Sequence, residues 1–228
     1  MSRTATTKFL RGFTTDIRHG KHTQDRLREL LRHTAQPVAV VTAKMPSKST
    51  PHPYHGATLS SFASIAMHPY PIISFALRIP SRMADILKVA QPDHPSHMVV
   101  NLLSAEQEAA AVKFSRADLY PEPFSSVSYS LSDEGHPILE GTLGSLSCKL
   151  VSNPIPLHDL DYLGGGCNER QAVEPESGLV SELFIARVLR VETLDQKDAD
   201  EDDPRTLPLL YHRRGYTSCH PASRPKSN

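Results

Sequence analysis

The sequence predicts a mainly β chain of the α+β class: an antiparallel barrel, closed or split, carrying a few short helices. At least six apolar, strand-like segments stand against three short helical ones, and no regular βα alternation supports a doubly wound parallel sheet. Proline, at 19 of 228 residues, exceeds the usual share of about 5% and tryptophan is absent, a composition that interrupts long helices. A chain of this length can bury one sizeable core, so a single domain is expected.

Thr23 to His33 carries Leu27, Leu30 and Leu31 at helical spacing, with Thr23 as N-cap and Asp25 in the first turn, where a carboxylate suits the helix dipole. Pro37 then opens a buried strand through Val38, Val40 and Val41, and the linker from Met45 to Pro53 leads to a second strand over Tyr54 to Ala66, forming a hairpin. Pro71 to Ile79 is almost wholly apolar and reads as a central strand covered on both faces. Ser81 caps a helix through Ala90 with Met83, Ile86 and Leu87 on one side. Met98 to Leu103 is a further strand, and Ser104 with Gln107 forms an S-x-x-Q capping box that opens a helix to about Arg116. Pro137 to Val151 and Leu183 to Glu192 are the longest strand candidates, with polar residues such as Arg187 marking a face that meets solvent or a partner.

The domain is expected over residues 23–219, after a flexible segment over 1–22 and before a disordered tail over 220–228. Loop insertions are expected at about 158–178, which contains Gly164, Gly165 and Gly166 without a phosphate-loop spacing, and at about 195–206, where clustered Asp and Glu repel one another. Arg3, Lys8 and Arg11 among hydroxyl residues, ahead of the first acid Asp16, resemble a mitochondrial transit peptide; a frayed polar tail in a cytoplasmic protein is the alternative.

Composition excludes several classes of function. Lys and Arg number 25 against 25 Asp and Glu, so no global positive field draws a nucleic acid. No apolar run approaches the roughly 20 residues that span a bilayer. Cys148, Cys167 and Cys219 are widely spaced and form no CxxC pair, which fits free thiols in a reducing compartment. The pairs His52/His55 and His94/His97 sit beside prolines in loops, where a spacing of three does not bring two rings together, so no metal site is expected. GxSxG is absent, which argues against a serine hydrolase.

More informative is Gly56 to Ile65. In one strand, Thr58, Ser60 and Ser64 would share a face able to lie against a flat polar ring; a plain solvent-exposed face is the alternative. The next strand exits into Pro80-Ser81-Arg82, which joins a hydroxyl, a guanidinium and a helix N-terminus, the ingredients of a phosphate corner. Together these describe a site shaped for a mononucleotide.

Residues 25–216 resemble the flavin reductase-like, FMN-binding split-barrel family. A G-x-T-x-N-S-F-x-S-V segment of that family is matched by Gly56, Thr58, Ser60 in place of Asn, Ser61, Phe62, Ser64 and Ile65 in place of Val. His68-Pro69 with Pro71, Ser81-Arg82, Val99 to Ser104, Gln107, Phe114, Leu183 to Val188, Pro208 to Tyr211 and Tyr216 follow in the family's order. The family's G-D-H element is replaced by Leu179-Val180-Ser181-Glu182.

The resemblance implies a split β-barrel of Greek-key topology, a homodimer with FMN (or FAD) in an interfacial groove, and NAD(P)H-dependent reduction of that flavin. It assigns Thr58, Ser60, Ser61 and Ser64 to the ring and ribityl chain, Ser81 and Arg82 to the phosphate, and Phe114 to the pocket wall, with no acid or base needed for hydride transfer. A monooxygenase partner is a further implication. The missing G-D-H element leaves a non-catalytic flavin-binding module as the alternative, and His158, upstream of the expected insertion, is a candidate to approach the same place, with a plain loop histidine as the stronger alternative.

Overall fold

The computed structural model describes residues 16–46, 53–164, 180–192 and 203–219. In chain order the elements are α1 (Asp16–Leu31), β1 (Gln36–Pro37), β2 (Ala39–Lys44), β3 (Tyr54–Leu59), β4 (Ala63–Ala66), β5 (Ile72–Ile79), α2 (Arg82–Lys88), β6 (Met98–Leu102), a 3₁₀ turn (Ala105–Gln107) running into α3 (Glu108–Ser115), and a second 3₁₀ turn (Pro123–Ser126). They continue with β7 (Tyr129–Leu131), β8 (Pro137–Leu139), β9 (Gly144–Leu150), β10 (Ile155–Pro156), α4 (Leu160–Leu163), β11 (Val180–Glu192), β12 (Leu210–His212) and β13 (Gly215–Thr217). The transit-like segment up to residue 15, His52, Cys167, most of both expected insertions and the tail lie outside the described residues.

The main sheet is antiparallel, in the order β3-β2-β6-β9-β11-β5-β4 with β10 on β11. β3 and β4 stand at its two ends, yet only residues 60–62 join them. Six inter-strand spacings of about 4.8 Å would separate the ends of a flat sheet by roughly 29 Å. The four Cα steps from Leu59 to Ala63 reach at most about 14 Å. The sheet must therefore curl until its edges meet, and that curl is the split barrel.

Inside the curl lie Val41, Ile73, Leu77, Met83, Leu87, Val100 and Ala186 around the stacked rings of Phe75 and Phe184, whose centroids are 5.5 Å apart. Full burial of each phenylalanine is worth about 1.5–3 kcal/mol. A second core outside the β2–β6 face gathers Val40, Leu103, Ala111, Phe114, Leu139 and Leu209, so β2 is buried on both faces.

Several boundaries differ from expectation. α1 starts at Asp16, which puts Thr23 inside the helix, not at its cap. The expected strand over Tyr54 to Ala66 is two strands, because the chain must leave one end of the sheet and enter the other. Pro137 to Val151 likewise splits around a turn where Gly141 has φ 77°. β5 is not covered on both faces: Ile73, Phe75 and Leu77 are buried, but Ile72, Ser74 and Ala76 are only half-buried, since no described layer packs outside them. The S-x-x-Q reading holds through its glutamine, as Ser104 N donates to Gln107 Oε1 at 3.1 Å, while Ser104 Oγ donates to the Gly141 carbonyl at 2.7 Å.

Candidate functional site

The break between β3 and β4 separates the hydroxyl residues expected to act together. Thr58 Oγ1 donates to the Ala111 carbonyl of α3 at 2.7 Å. Ser61 Oγ clasps β5, accepting from Ala76 N at 2.9 Å and donating to Ala76 O at 3.1 Å. Both therefore hold the fold at the seam. Ser60 and Ser64 are exposed and their side chains make no hydrogen bond among the described residues, so their hydroxyls remain available to a ligand.

Ser81 is the N-cap of α2, its Oγ accepting from Ala84 N at 3.4 Å. Arg82 is exposed, makes no ion pair among the described residues, and lies close enough to His55 for its charge to add to burial, the main cause, in lowering that histidine's pKa. His55, Ala57 and Leu59 face one side of β3, with Ala57 and Leu59 against the barrel interior, whereas Gly56 and Thr58 face α3. Thr58 and the Arg82 corner thus lie on opposite faces of the strand. Phe114, expected to wall the pocket, is buried, with its ring against Gly56 and 5.0 Å from the Phe124 ring centroid.

On the Thr58 side a cleft of about 280 Å³ is bounded by Val38, Thr58, Leu59, Ser60, Ser115, Tyr211 and Tyr216. Its aromatic wall is the pair Tyr211 and Tyr216, edge to face at 5.5 Å. Burial raises the pKa of the Tyr216 phenol, against the opposing effect of the nearby Ser115 hydroxyl. Sequence reading matched both tyrosines only to terminal strands, because their meeting with Ser60 arises from the hairpin β12–β13 packing at the seam.

A larger cleft, about 390 Å³, lies elsewhere and contains none of the motif residues; it holds Lys44, His94, His97 and His136. Leu150 N donates to His97 Nδ1 at 3.2 Å and Lys44 N to His136 Nδ1 at 3.1 Å. Their Nε2 atoms meet the carbonyls of Gln91, at 3.0 Å, and Ser96, at 3.2 Å. With every ring nitrogen committed to backbone, neither imidazole is free to ligate, and among the described residues no group of three or more His, Cys, Asp or Glu could hold a metal ion. No helix of the described residues is long and apolar enough to cross a membrane. His158 is exposed.

The FMN reductase (NADH) SmoA of Agrobacterium fabrum is 29% identical over 117 residues, 49% of this chain and 56% of that protein. The chain spans about half the length of the curated relatives it matches. Among solved structures, the nitrilotriacetate monooxygenase component B homologue of Mycobacterium thermoresistibile superposes with TM-score 0.63 at 18% identity, covering 92% of this chain and 93% of that one. The styrene monooxygenase flavin reductase of Pseudomonas putida S12 does so with TM-score 0.60 at 22% identity, covering 86% and 99%. Such likenesses establish the mainly antiparallel split-barrel fold. The flavin reductase like domain matches residues 31–220, and the chain belongs to that family.

Proposed function

We propose that the chain reduces flavin at the expense of NAD(P)H. The observation that carries this reading is an unpaired, exposed Arg82 at the start of α2, on a family fold whose seam also exposes Ser60 and Ser64 with unused hydroxyls. A guanidinium without an ion partner fits a phosphate through charge-assisted hydrogen bonds, and free hydroxyls fit the polar edge of a flavin or its ribityl chain.

The reduced nicotinamide supplies two electrons and one proton as hydride to the flavin, which takes a second proton from water. The protein's own part is to bind and orient. Arg82 holds the phosphate, Ser81 keeps α2 capped beside it, Ser60 and Ser64 meet the ring and ribityl chain, and Thr58 and Ser61 fix the seam by their backbone bonds. FMN is the proposed flavin, with FAD as the variant that carries the same phosphate next to the ribityl chain. No side chain needs to act as acid or base.

A homodimer is part of this reading. Leu27, Leu30 and Leu31 of α1 are 51%, 64% and 43% exposed, and the outer face of β5 is half-open, apolar surface that a second copy would cover. The proposed recipient of reduced flavin is a monooxygenase, by analogy with the styrene monooxygenase flavin reductase. Targeting to mitochondria is proposed on the composition of the first residues alone, and fusion of residues 1–22 to a reporter tests it.

Anaerobic stopped-flow mixing of the protein and FMN with NADH or NADPH tests the activity. Bleaching of the flavin absorbance on the timescale of turnover is expected; binding without bleaching would leave a flavin-binding module and overturn the reductase reading.

A further inference from the structure

The larger cleft, beside Lys44 and the C-terminal end of α2, has no part in the flavin reading. At about 390 Å³ it falls inside the range of roughly 300–1,000 Å³ typical of small-molecule sites. One side is apolar: Ile86 of α2, Val89 and Ala90 just past its end, and Met45 and Pro46 after β2. Val89 is 60% exposed, so the fold leaves apolar surface wet there for a ligand to cover.

The other side decides the sign of the ligand's charge. Glu134 stands there, but Arg190 grips its carboxylate with two hydrogen bonds, at 2.8 and 2.6 Å, which offsets its charge. Asp133 and Glu192, the other carboxylates on Arg190, do not line the cleft. His97 and His136 have both ring nitrogens on backbone groups, and burial favours their neutral forms. Lys44 is different. Its ammonium has no ion partner among the described residues, and its stem lies over Gly135, where a built Cβ would stand 3.9 Å from both Cδ and Nζ. The His94 ring, also in the cleft, makes no hydrogen bond among the described residues and is free to donate one. The cleft therefore joins an apolar side to an uncompensated cation.

We propose that this cleft binds a small organic acid, one carboxylate on a compact apolar body such as an aromatic ring. The carboxylate meets Lys44 Nζ and the His94 ring, and the body lies against Met45, Ile86 and Val89. The orientation follows from α2: the end turned to the cleft is the C-terminal one, whose carbonyls disfavour an anion, so the apolar body takes that side. A lone ammonium is a point charge without the fork that grips phosphate, which favours a carboxylate over a nucleotide. The site stands whether or not the chain reduces flavin.

Isothermal titration of wild type, Lys44→Met and Val89→Trp with 3-phenylpropanoate, 3-phenylpropanamide and acetate tests this, with and without saturating FMN. Lys44 and Val89 are exposed, so methionine keeps the stem without the charge, and tryptophan fills the cleft without entering a core. Wild type is expected to bind one 3-phenylpropanoate saturably, and more tightly than either the uncharged amide or acetate, which lacks the apolar body. Each variant should weaken the acid by about threefold or more, the scale of a partly exposed ion pair. FMN should leave its Kd unchanged. No saturable binding overturns the proposal, as does an amide that binds as tightly as the acid, or wild-type affinity in either variant. Competition between FMN and the acid would place the acid at the flavin corner and overturn it too.

Discussion

The side-chain oxygen of Asn101 accepts a hydrogen bond from Ser145 Oγ at 2.8 Å, which ties β6 to β9 inside the protein. The same oxygen accepts from Leu139 N at 2.9 Å, and Asn101 Nδ2 donates to Val40 O at 3.0 Å and Thr42 Oγ1 at 3.1 Å. One fully buried amide thus satisfies β2, β8 and β9 at once. Asn101→Leu takes the acceptor from the Leu139 N–H and the Ser145 hydroxyl where water cannot reach, at about 1–3 kcal/mol for each unsatisfied group, while the Val40 carbonyl keeps its ladder partner on β6. A loss of about 2–4 kcal/mol in urea unfolding is expected. A loss below about 1 kcal/mol would show that these groups find other partners.

Gly56 is required by a close approach and not by its backbone angles. A Cβ built there would stand 2.6 Å from two ring carbons of Phe114, which is itself packed by Phe124. Gly56→Ala should destabilise the protein by about 1–3 kcal/mol through overpacking. Adding Phe114→Leu should recover part of that loss, giving non-additive energies in a double-mutant cycle. Additive losses would mean that the two residues do not meet.

The strands were legible in the sequence where one rule governed them. Val38 to Val41, Met98 to Leu103 and Leu183 to Glu192 are β-rich runs, and each lies within or overlaps a strand of the main sheet. Periodicity failed where topology overrode it. The alternation of Thr58, Ser60 and Ser64 continues across a break that no local signal marks, because the break exists to carry the chain between the two edges of a curled sheet. Ser61 illustrates the cost to the site. It reads as one more ligand hydroxyl, yet its partner is Ala76, and only the closed geometry brings those residues together. Tyr211 and Tyr216 were missed for the same reason, as they reach Thr58 and Ser60 across more than 150 residues of chain.

Arg82 separates a binding role from a structural one. It is exposed and unpaired among the described residues, so Arg82→Ala should leave thermal stability unchanged. On the proposed function the same change weakens FMN by about 1.5–3 kcal/mol, the range for a hydrogen bond to a charged group, or roughly ten- to a hundredfold. Riboflavin, which lacks the phosphate, should bind wild type and variant alike. Equal FMN affinity in the two proteins would remove Arg82 from the site.

His97 and His136 make the fold sensitive to acid, and the sign follows from their hydrogen bonds. Each Nδ1 already accepts a backbone N–H, from Leu150 and Lys44 respectively, so a proton placed there would face another donor. Burial is the main cause that lowers both pKa values below 6.5. The charges of Lys149, His94 and His136 add to it at His97, and those of His94 and Lys44 add to it at His136, against the opposing effects of the Gln91 and Ser96 carbonyls and, at His136, of Glu134. Above about pH 6.5 both rings are neutral whether the chain is folded or unfolded, and their contribution to stability is whole. As pH falls below that value the unfolded chain takes up protons that the folded one refuses, and stability declines by up to about 1.4 kcal/mol per pH unit for each ring until the folded pKa is reached. Urea unfolding between pH 7.5 and 5 should therefore show stability falling with acid. In the double variant His97→Gln with His136→Gln, whose side chains still donate and accept but do not titrate, that slope should shrink. A slope as steep as wild type in the double variant would assign the acid sensitivity to other groups.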